Sequence, residues 1–198
     1  MSDCNNPHSF SLIDMNRDGS LDILVTCLGD DSVKLYLGDG SGVRYADATS
    51  LATTSGDPGT LAEPAGIAVG DFNHDGDMDF AFTLNSGDED LHIYFNECEE
   101  PFAGMVVSAA DKYQYVVARD LNRDGHLDLV MFRDSGDDDI EWIINDWPMQ
   151  TIAGFNKDVA HAYLESTNTL EEDAYSTVER LGMHACDLDG DGDMDLIS

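Results

Sequence analysis

One nine-residue pattern occurs four times in this 198-residue chain, and it constrains the fold more than any other feature of the sequence. Each copy has Asp at place one, Asn or Asp at place three, Asp-Gly at places five and six, and Asp at place nine. The copies are loop one (14–22, DMNRDGSLD), loop two (71–79, DFNHDGDMD), loop three (120–128, DLNRDGHLD) and loop four (187–195, DLDGDGDMD). Copies spaced roughly 50 to 70 residues apart indicate a repeat architecture, in which each repeat is one supersecondary unit.

Each loop carries the donor groups of a calcium site. Hard cations such as Ca²⁺ take about six to eight oxygen ligands. Alternate residues of a tight loop can direct their oxygens at one centre, and Gly at place six permits the sharp turn because it has no Cβ. The residue at place seven would offer its main-chain carbonyl, which explains why its side chain varies among the four copies.

The predicted ligands are therefore the residues at places one, three, five, seven and nine, and up to four Ca²⁺ ions are expected. They are Asp14, Asn16, Asp18, Ser20 and Asp22 in loop one, and Asp71, Asn73, Asp75, Asp77 and Asp79 in loop two. Loops three and four supply Asp120, Asn122, Asp124, His126 and Asp128, and Asp187, Asp189, Asp191, Asp193 and Asp195.

The EF-hand is the main competing interpretation, and place twelve excludes it. An EF-hand loop needs a bidentate Glu at that place and a helix on either side. Place twelve is Val25, Phe82, Met131 or Ser198 here. The flanking segments have strand character, as in GIAVG at 66–70 and YVVAR at 115–119 before the loops, and ILVT at 23–26, FAFT at 80–83 and LVMF at 129–132 after them.

The remainder of each repeat predicts two further strands. A third strand is expected at 33–38, 91–96 and 140–145, and a fourth at 42–46, 104–109 and 149–155. Four short antiparallel strands form one blade of a β-propeller. The predicted fold is thus an all-β propeller in a single domain over 1–198, with repeats at about 10–50, 64–110, 113–156 and 178–198 and an insertion at 157–180.

The segments IAVGDFNHDGDMDFAFT and LHIYFN resemble the FG-GAP (VCBS) repeat, the calcium-binding blade of integrin α-chain propellers. The Phe-Gly and Gly-Ala-Pro elements that name the repeat are mostly absent, so the chain is more similar to the VCBS form. The resemblance implies a non-catalytic, extracellular or cell-surface module that presents loops to a glycan or protein partner. Three full repeats and the opening of a fourth make a partial propeller, so we expect remaining blades or another chain to close the ring.

Charge and composition exclude several partners. With 41 Asp plus Glu against 9 Lys plus Arg, the net charge is −32, which argues against nucleic acid because like charges repel. No apolar run approaches the roughly 18 residues of a membrane helix, so no membrane insertion is expected. Residues 1–10 lack the features of a secretory signal. Extracellular calcium modules nevertheless bind at about 10⁻⁴–10⁻³ M, which favours an extracellular setting.

No catalytic motif such as G-x-S-x-G or H-E-x-x-H is present, and we expect no enzymatic activity. Two alternatives stay open: a propeller within a secreted carbohydrate-active enzyme of the polysaccharide lyase kind, and a scaffold fragment of a larger surface protein. Trp142 alternates with Ile140 and Ile144 and is expected to pack inside a blade, whereas Trp147 is the better candidate for contact with a sugar. The four cysteines allow three disulfide pairings or a reduced state.

Overall fold

The computed structural model describes residues 4–42, 45–46, 49–53, 62–86, 91–96, 103–107, 113–133, 140–145, 184–186 and 195–197. Within these residues the chain is all-β, apart from one 3-10 turn at Leu28–Asp30. The predicted all-β fold class is confirmed for the described residues.

The described residues form thirteen strands in four antiparallel sheets. Sheet one contains β1 (Pro7–Ile13), β2 (Asp22–Cys27), β3 (Ser32–Tyr36) and β4 (Thr49–Thr53). Sheet two contains β5 (Ala62–Gly70), β6 (Asp79–Ser86), β7 (Leu91–Phe95) and β8 (Ala103–Val107). Sheet three contains β9 (Tyr113–Arg119), β10 (Asp128–Arg133) and β11 (Ile140–Ile143), and sheet four contains β12 (His184–Cys186) and β13 (Asp195–Ile197). Strands that are consecutive in the sequence pair with each other in every sheet, which is the meander of a propeller blade.

The strands predicted on both sides of loops one to three, and the third strands that follow them, are confirmed. The fourth strand predicted at 104–109 corresponds to β8. The fourth strand predicted at 42–46 is wrong, because β4 lies at Thr49–Thr53 and Tyr45 makes only an isolated bridge with Gly38. Gly40 and Gly42 have φ of 75° and 70°, which prolongs the turn after β3 and delays strand pairing. The strand predicted at 149–155 lies outside the described residues.

The hydrophobic core lies between the sheets. Successive side chains of a strand point to opposite faces. Phe80 and Phe82 of β6 therefore pack with Leu24 of sheet one, while Ala81 between them packs with Leu129 of sheet three. Because both faces of sheet two are covered, β6 has consecutive apolar residues at 80–82 instead of alternating polar and apolar ones.

Sheets two and three also approach closely through a glycine. A Cβ on Gly66 of β5 would lie 2.7 Å from both the Cα of Tyr115 and the nitrogen of Val116 in β9. No real Cβ tolerates such a distance from backbone atoms. The absence of a side chain at Gly66 therefore allows β5 and β9 to pack this closely.

A disulfide joins Cys4 to Cys27, one of the pairings that the sequence left open. Cys27 is fully buried at the end of β2. The chain after Cys4 is held by two main-chain hydrogen bonds, in which the Gly29 amide donates to Asn5 O and the Leu28 amide donates to Asn6 O, both at 3.0 Å. The disulfide thus ties the segment before β1 to the turn after β2.

Breaking this disulfide by Cys4→Ala is expected to lower the free energy of unfolding by about 3 kcal/mol, because a closed loop of this length restricts the unfolded chain. Denaturant unfolding with and without dithiothreitol measures the effect. The wild type should lose a similar amount on reduction, and the variant should be insensitive to the reductant. An equal loss in both proteins would assign the effect to a different cysteine pair.

Candidate metal site in the repeated loops

Loops one, two and three each join the first two strands of a sheet: β1 to β2, β5 to β6 and β9 to β10. The prediction that strands rather than helices flank these loops is confirmed. In loop four, residues 187–194 lie outside the described residues, and these include Asp187, Asp189, Asp191 and Asp193. Asp195 begins β13 and is described in its backbone only.

The Asp at place one closes the loop over the glycine at place six. In all three loops the glycine amide donates to Oδ2 of this Asp at 2.9 Å: Gly19 to Asp14, Gly76 to Asp71 and Gly125 to Asp120. The three glycines have φ of 86°, 88° and 91°. A side chain is strained in this left-handed region, so the predicted need for glycine at place six is confirmed.

The side chains at places three and five bond to each other and to the loop backbone. The amide group of the Asn at place three donates to Oδ2 of the Asp at place five, from Asn16 to Asp18 (3.0 Å), Asn73 to Asp75 (2.8 Å) and Asn122 to Asp124 (2.8 Å). Oδ1 of the same Asp accepts the amide of place seven, from Ser20 (2.8 Å), Asp77 (2.7 Å) and His126 (2.8 Å). Side chains from alternate places of the loop are thereby drawn together.

In loops one and three these hydrogen bonds favour the charged form of the Asp at place five. The Ser20 amide, together with the Asn16 side chain, lowers the pKa of Asp18 below its ordinary value. The His126 amide is the main cause of the lowered pKa of Asp124. Both carboxylates are exposed and ionised at neutral pH, which is the form that binds a cation.

Place four has a backbone conformation that the pattern did not predict. Arg17, His74 and Arg123 have φ of 58°, 57° and 63° although none is glycine. Non-glycine residues in the left-handed region are uncommon. The two left-handed residues at places four and six give each loop its compact turn.

The Asp at place nine has a structural role that sequence reasoning missed. Asp22, Asp79 and Asp128 are fully buried. Oδ2 of each accepts the amide of place two, from Met15 (2.9 Å), Phe72 (2.9 Å) and Leu121 (2.7 Å). Oδ1 accepts the amide of a residue one or two positions beyond the third strand, from Gly38 (2.8 Å), Asn96 (2.9 Å) and Asn145 (2.8 Å). This Asp joins the loop to the far end of its own sheet.

Burial makes the carboxylates of Asp79 and Asp128 reluctant to ionise. Burial raises the pKa of Asp79 to about 6, against the lowering effect of the Asn96 and Phe72 amides. Burial likewise raises the pKa of Asp128. A nearby cation would favour the charged form and offset this cost.

The donor set fits a hard divalent cation. In loop two Oδ1 of Asp71 is buried and accepts no hydrogen bond, although the equivalent oxygens of Asp14 and Asp120 accept the amide of place five at 3.0 and 3.2 Å. An unpaired carboxylate oxygen is costly and is suited to a cation. In the described part of the chain no three His, Cys, Asp or Glu side chains converge as a preformed metal site. The oxygens face the loop amides, and each retains a second lone pair.

Trp142 and the buried imidazole of His92 both pack against side chains of their own sheets. Trp142 packs against Val130 in sheet three, as predicted. His92 of β7 is buried and stacks on Phe82 with ring centroids 5.0 Å apart. Trp147 lies outside the described residues.

Comparison with known proteins agrees with this geometry. Antiparallel meanders joined by Asp-rich loops define a propeller-type repeat module. A family profile described as "FG-GAP-like repeat" matches residues 14–82, so this part of the chain is similar to that family. Loop three lies beyond the matched range and repeats the same hydrogen bonds. No curated protein matches the chain. Among the described residues, no helix has the length and apolar character needed to cross a membrane.

Proposed function

We propose that the chain is a non-catalytic calcium-binding repeat module, whose loops hold Ca²⁺ and whose exposed surface serves a glycan or protein partner outside the cell. The unpaired Oδ1 of Asp71 is the observation that carries the calcium assignment. It lies at place one of a loop that the family profile covers.

The ligands would come from places one, three, five, seven and nine of each loop. Bound Ca²⁺ would supply positive charge among carboxylates that otherwise repel one another. In each loop the side chains at places three and five already bond to each other, and the place-one carboxylate bonds to the glycine amide of the same turn. Four ions would add eight positive charges to a chain of net charge −32, leaving it strongly acidic.

Two features support a location outside the cell. The Cys4–Cys27 disulfide is of a kind that persists in oxidising compartments and is rare in the cytosol. FG-GAP-like loops of the extracellular type would fill at the millimolar calcium concentrations found there, at dissociation constants of about 10⁻⁴–10⁻³ M.

Calcium is expected to raise the melting temperature by roughly 10 °C or more. Each site adds about 1.4 kcal/mol at ten times its dissociation constant, and each kcal/mol raises the melting temperature by about 2–4 °C in a chain of this size. Thermal melts in millimolar calcium and in chelator measure the difference.

The matched variants are Asp71→Asn and Asp39→Asn. Asp39 forms a similar turn, accepting the Ser41 amide at 2.9 Å, but lies outside the loops. Asp71→Asn should reduce the calcium-induced rise by roughly a quarter, since one of about four sites is lost. Asp39→Asn should leave the rise unchanged. Equal rises in all three proteins would refute the assignment of loop two.

The calcium-induced rise should shrink as the pH falls from about 7 to 5. Asp79 has its pKa raised to about 6, so below that pH protons compete with calcium for its carboxylate. Without calcium, the folded state then holds a proton that the unfolded state releases, so Asp79 stabilises the chelated protein at low pH and loses this contribution as the pH rises through 6. Melts across this range test the prediction, and a constant calcium effect would contradict it.

A further inference from the structure

The peptide unit at place two of loop one is shared between two sheets. The Met15 amide donates to Asp22 within its own loop at 2.9 Å. The Met15 carbonyl accepts a hydrogen bond of 3.2 Å from the side-chain amide of Asn96, which follows β7 of sheet two. One residue therefore connects the base of loop one to the neighbouring sheet.

The same arrangement recurs one sheet further on. The Phe72 amide donates to Asp79 within loop two at 2.9 Å. The Phe72 carbonyl accepts a hydrogen bond of 2.9 Å from the side-chain amide of Asn145, which follows β11 of sheet three and is fully buried. Recurrence at equivalent positions argues that the contact belongs to the repeat rather than to one local accident of packing.

These hydrogen bonds form one continuous relay. The backbone amide of Asn96 donates to Oδ1 of Asp79 at 2.9 Å, and that of Asn145 donates to Oδ1 of Asp128 at 2.8 Å. Each Asn thus joins the place-nine Asp of its own loop to place two of the preceding loop. The relay runs in order through Gly38, Asp22, Met15, Asn96, Asp79, Phe72, Asn145, Asp128 and Leu121.

A second bridge links the same loops at their outer side. Arg17 at place four of loop one contacts Asp77 at place seven of loop two, with 2.9 Å between Nη2 and Oδ1. His74 at place four of loop two lies against His126 at place seven of loop three, with ring centroids 4.4 Å apart. Place seven is the residue whose carbonyl is a predicted ligand. In both pairs, place four of one loop therefore contacts a predicted ligand residue of the next loop.

We propose that loops one, two and three bind calcium with positive cooperativity, and that Asn96 and Asn145 are the residues that couple them. The inference rests on the proposed function, because the place-nine Asp must be both a ligand and a member of the relay. A cation bound to one loop restrains the place-two peptide and the place-nine Asp of that loop. The Asn that bonds to either group then restrains the neighbouring loop as well. The second cation then binds with a smaller loss of conformational entropy, because its loop is already partly ordered.

Sheet one offers an internal comparison. At the position equivalent to Asn96 it has Gly38, whose amide makes the bond to Asp22 but which has no side chain to reach a further loop. A Cβ at Gly38 would lie 2.2 Å from the carbonyl oxygen of Leu21. The coupling side chain is therefore present only where the described chain places another loop within reach.

The test is a calcium titration of the chelator-stripped full chain by competition with a chromophoric chelator. The wild type should give a Hill coefficient above 1, with later ions binding roughly fivefold or more tightly than the first. Asn96→Ala should bring the coefficient down towards 1 while the number of bound ions stays the same. Asn85→Ala is the matched control, since Asn85 bonds to Glu63 within sheet two at 3.2 Å and should leave the coefficient unchanged.

Asn96→Gly introduces the residue that sheet one has at this position, Gly38, and replaces Asn96→Ala in the titration if that variant is poorly folded. A melt in chelator establishes which variants are folded. A wild-type coefficient of 1 with several ions bound would overturn the coupling and leave the proposed function intact. A folded Asn96 variant that keeps the wild-type coefficient would also overturn it. No binding at millimolar calcium would refute both the coupling and the proposed function.

Discussion

Asp79→Ala is expected to lower the free energy of unfolding by roughly 3–5 kcal/mol in calcium-free buffer. The carboxylate is fully buried and accepts the Phe72 and Asn96 amides, each at 2.9 Å. Removing it leaves the buried Phe72 amide and the partly buried Asn96 amide without an acceptor, at about 1–3 kcal/mol for a buried donor, and leaves a cavity. The recovered desolvation of the charge, seen in the pKa of about 6, offsets only part of this loss.

Asp75→Ala is the matched control, because it removes the same charge from the same loop. Asp75 is exposed, and its hydrogen bonds to Asp77 and Asn73 compete with water. Asp75→Ala should lower the free energy of unfolding by about 1 kcal/mol or less in chelator. Denaturant unfolding of the three proteins gives the comparison. Equal losses for Asp79→Ala and Asp75→Ala would show that place nine has no special structural role.

Phe82→Ala is expected to cost about 3–5 kcal/mol, as is typical when a buried aromatic side chain is removed. Phe82 is fully buried between sheets one and two and stacks with His92 and Tyr94 at ring-centroid distances of 5.0 and 5.6 Å. Phe82 thus contributes both to the cluster shared with sheet one and to ring stacking within sheet two. Denaturant unfolding again provides the measurement.

Phe10→Ala is the control for this prediction, since Phe10 on β1 is 66% exposed. Truncation of an exposed side chain should change stability by about 0.5 kcal/mol. A loss at Phe10 as large as that at Phe82 would contradict burial as the cause of the loss at Phe82. It would also show that the outer face of sheet one is covered in solution.

The strands next to the loops could be predicted because their apolar pattern and the Asp-Gly turns are local features. The position of β4, the strand after Tyr45, could not be predicted in this way. β4 (Thr49–Thr53) lies at a sheet edge and has mainly polar or small residues, so it carries little hydrophobic alternation. Its position depends on how two residues with positive φ, Gly40 and Gly42, extend the preceding turn.

In the site, the glycine turn and the local bonds of places one, three and five follow from the nine-residue pattern. The pattern does not predict that Asp79 accepts hydrogen bonds from two separate segments, because its second donor, Asn96, lies 17 residues further on. The Asn145–Phe72 bond spans 73 residues and exists only once two sheets are packed. Pairing of Cys4 with Cys27 likewise depends on the turn that brings Asn5 beside Gly29.

The most direct test of the account is the number of calcium ions bound by the chelator-stripped chain, measured by calorimetric titration at neutral pH. About four ions per chain are expected for the wild type and for Asp39→Asn, and one fewer for Asp71→Asn. An absence of binding at millimolar calcium, in a protein that melts cooperatively, would contradict the calcium assignment and leave the loops as hydrogen-bonded turns.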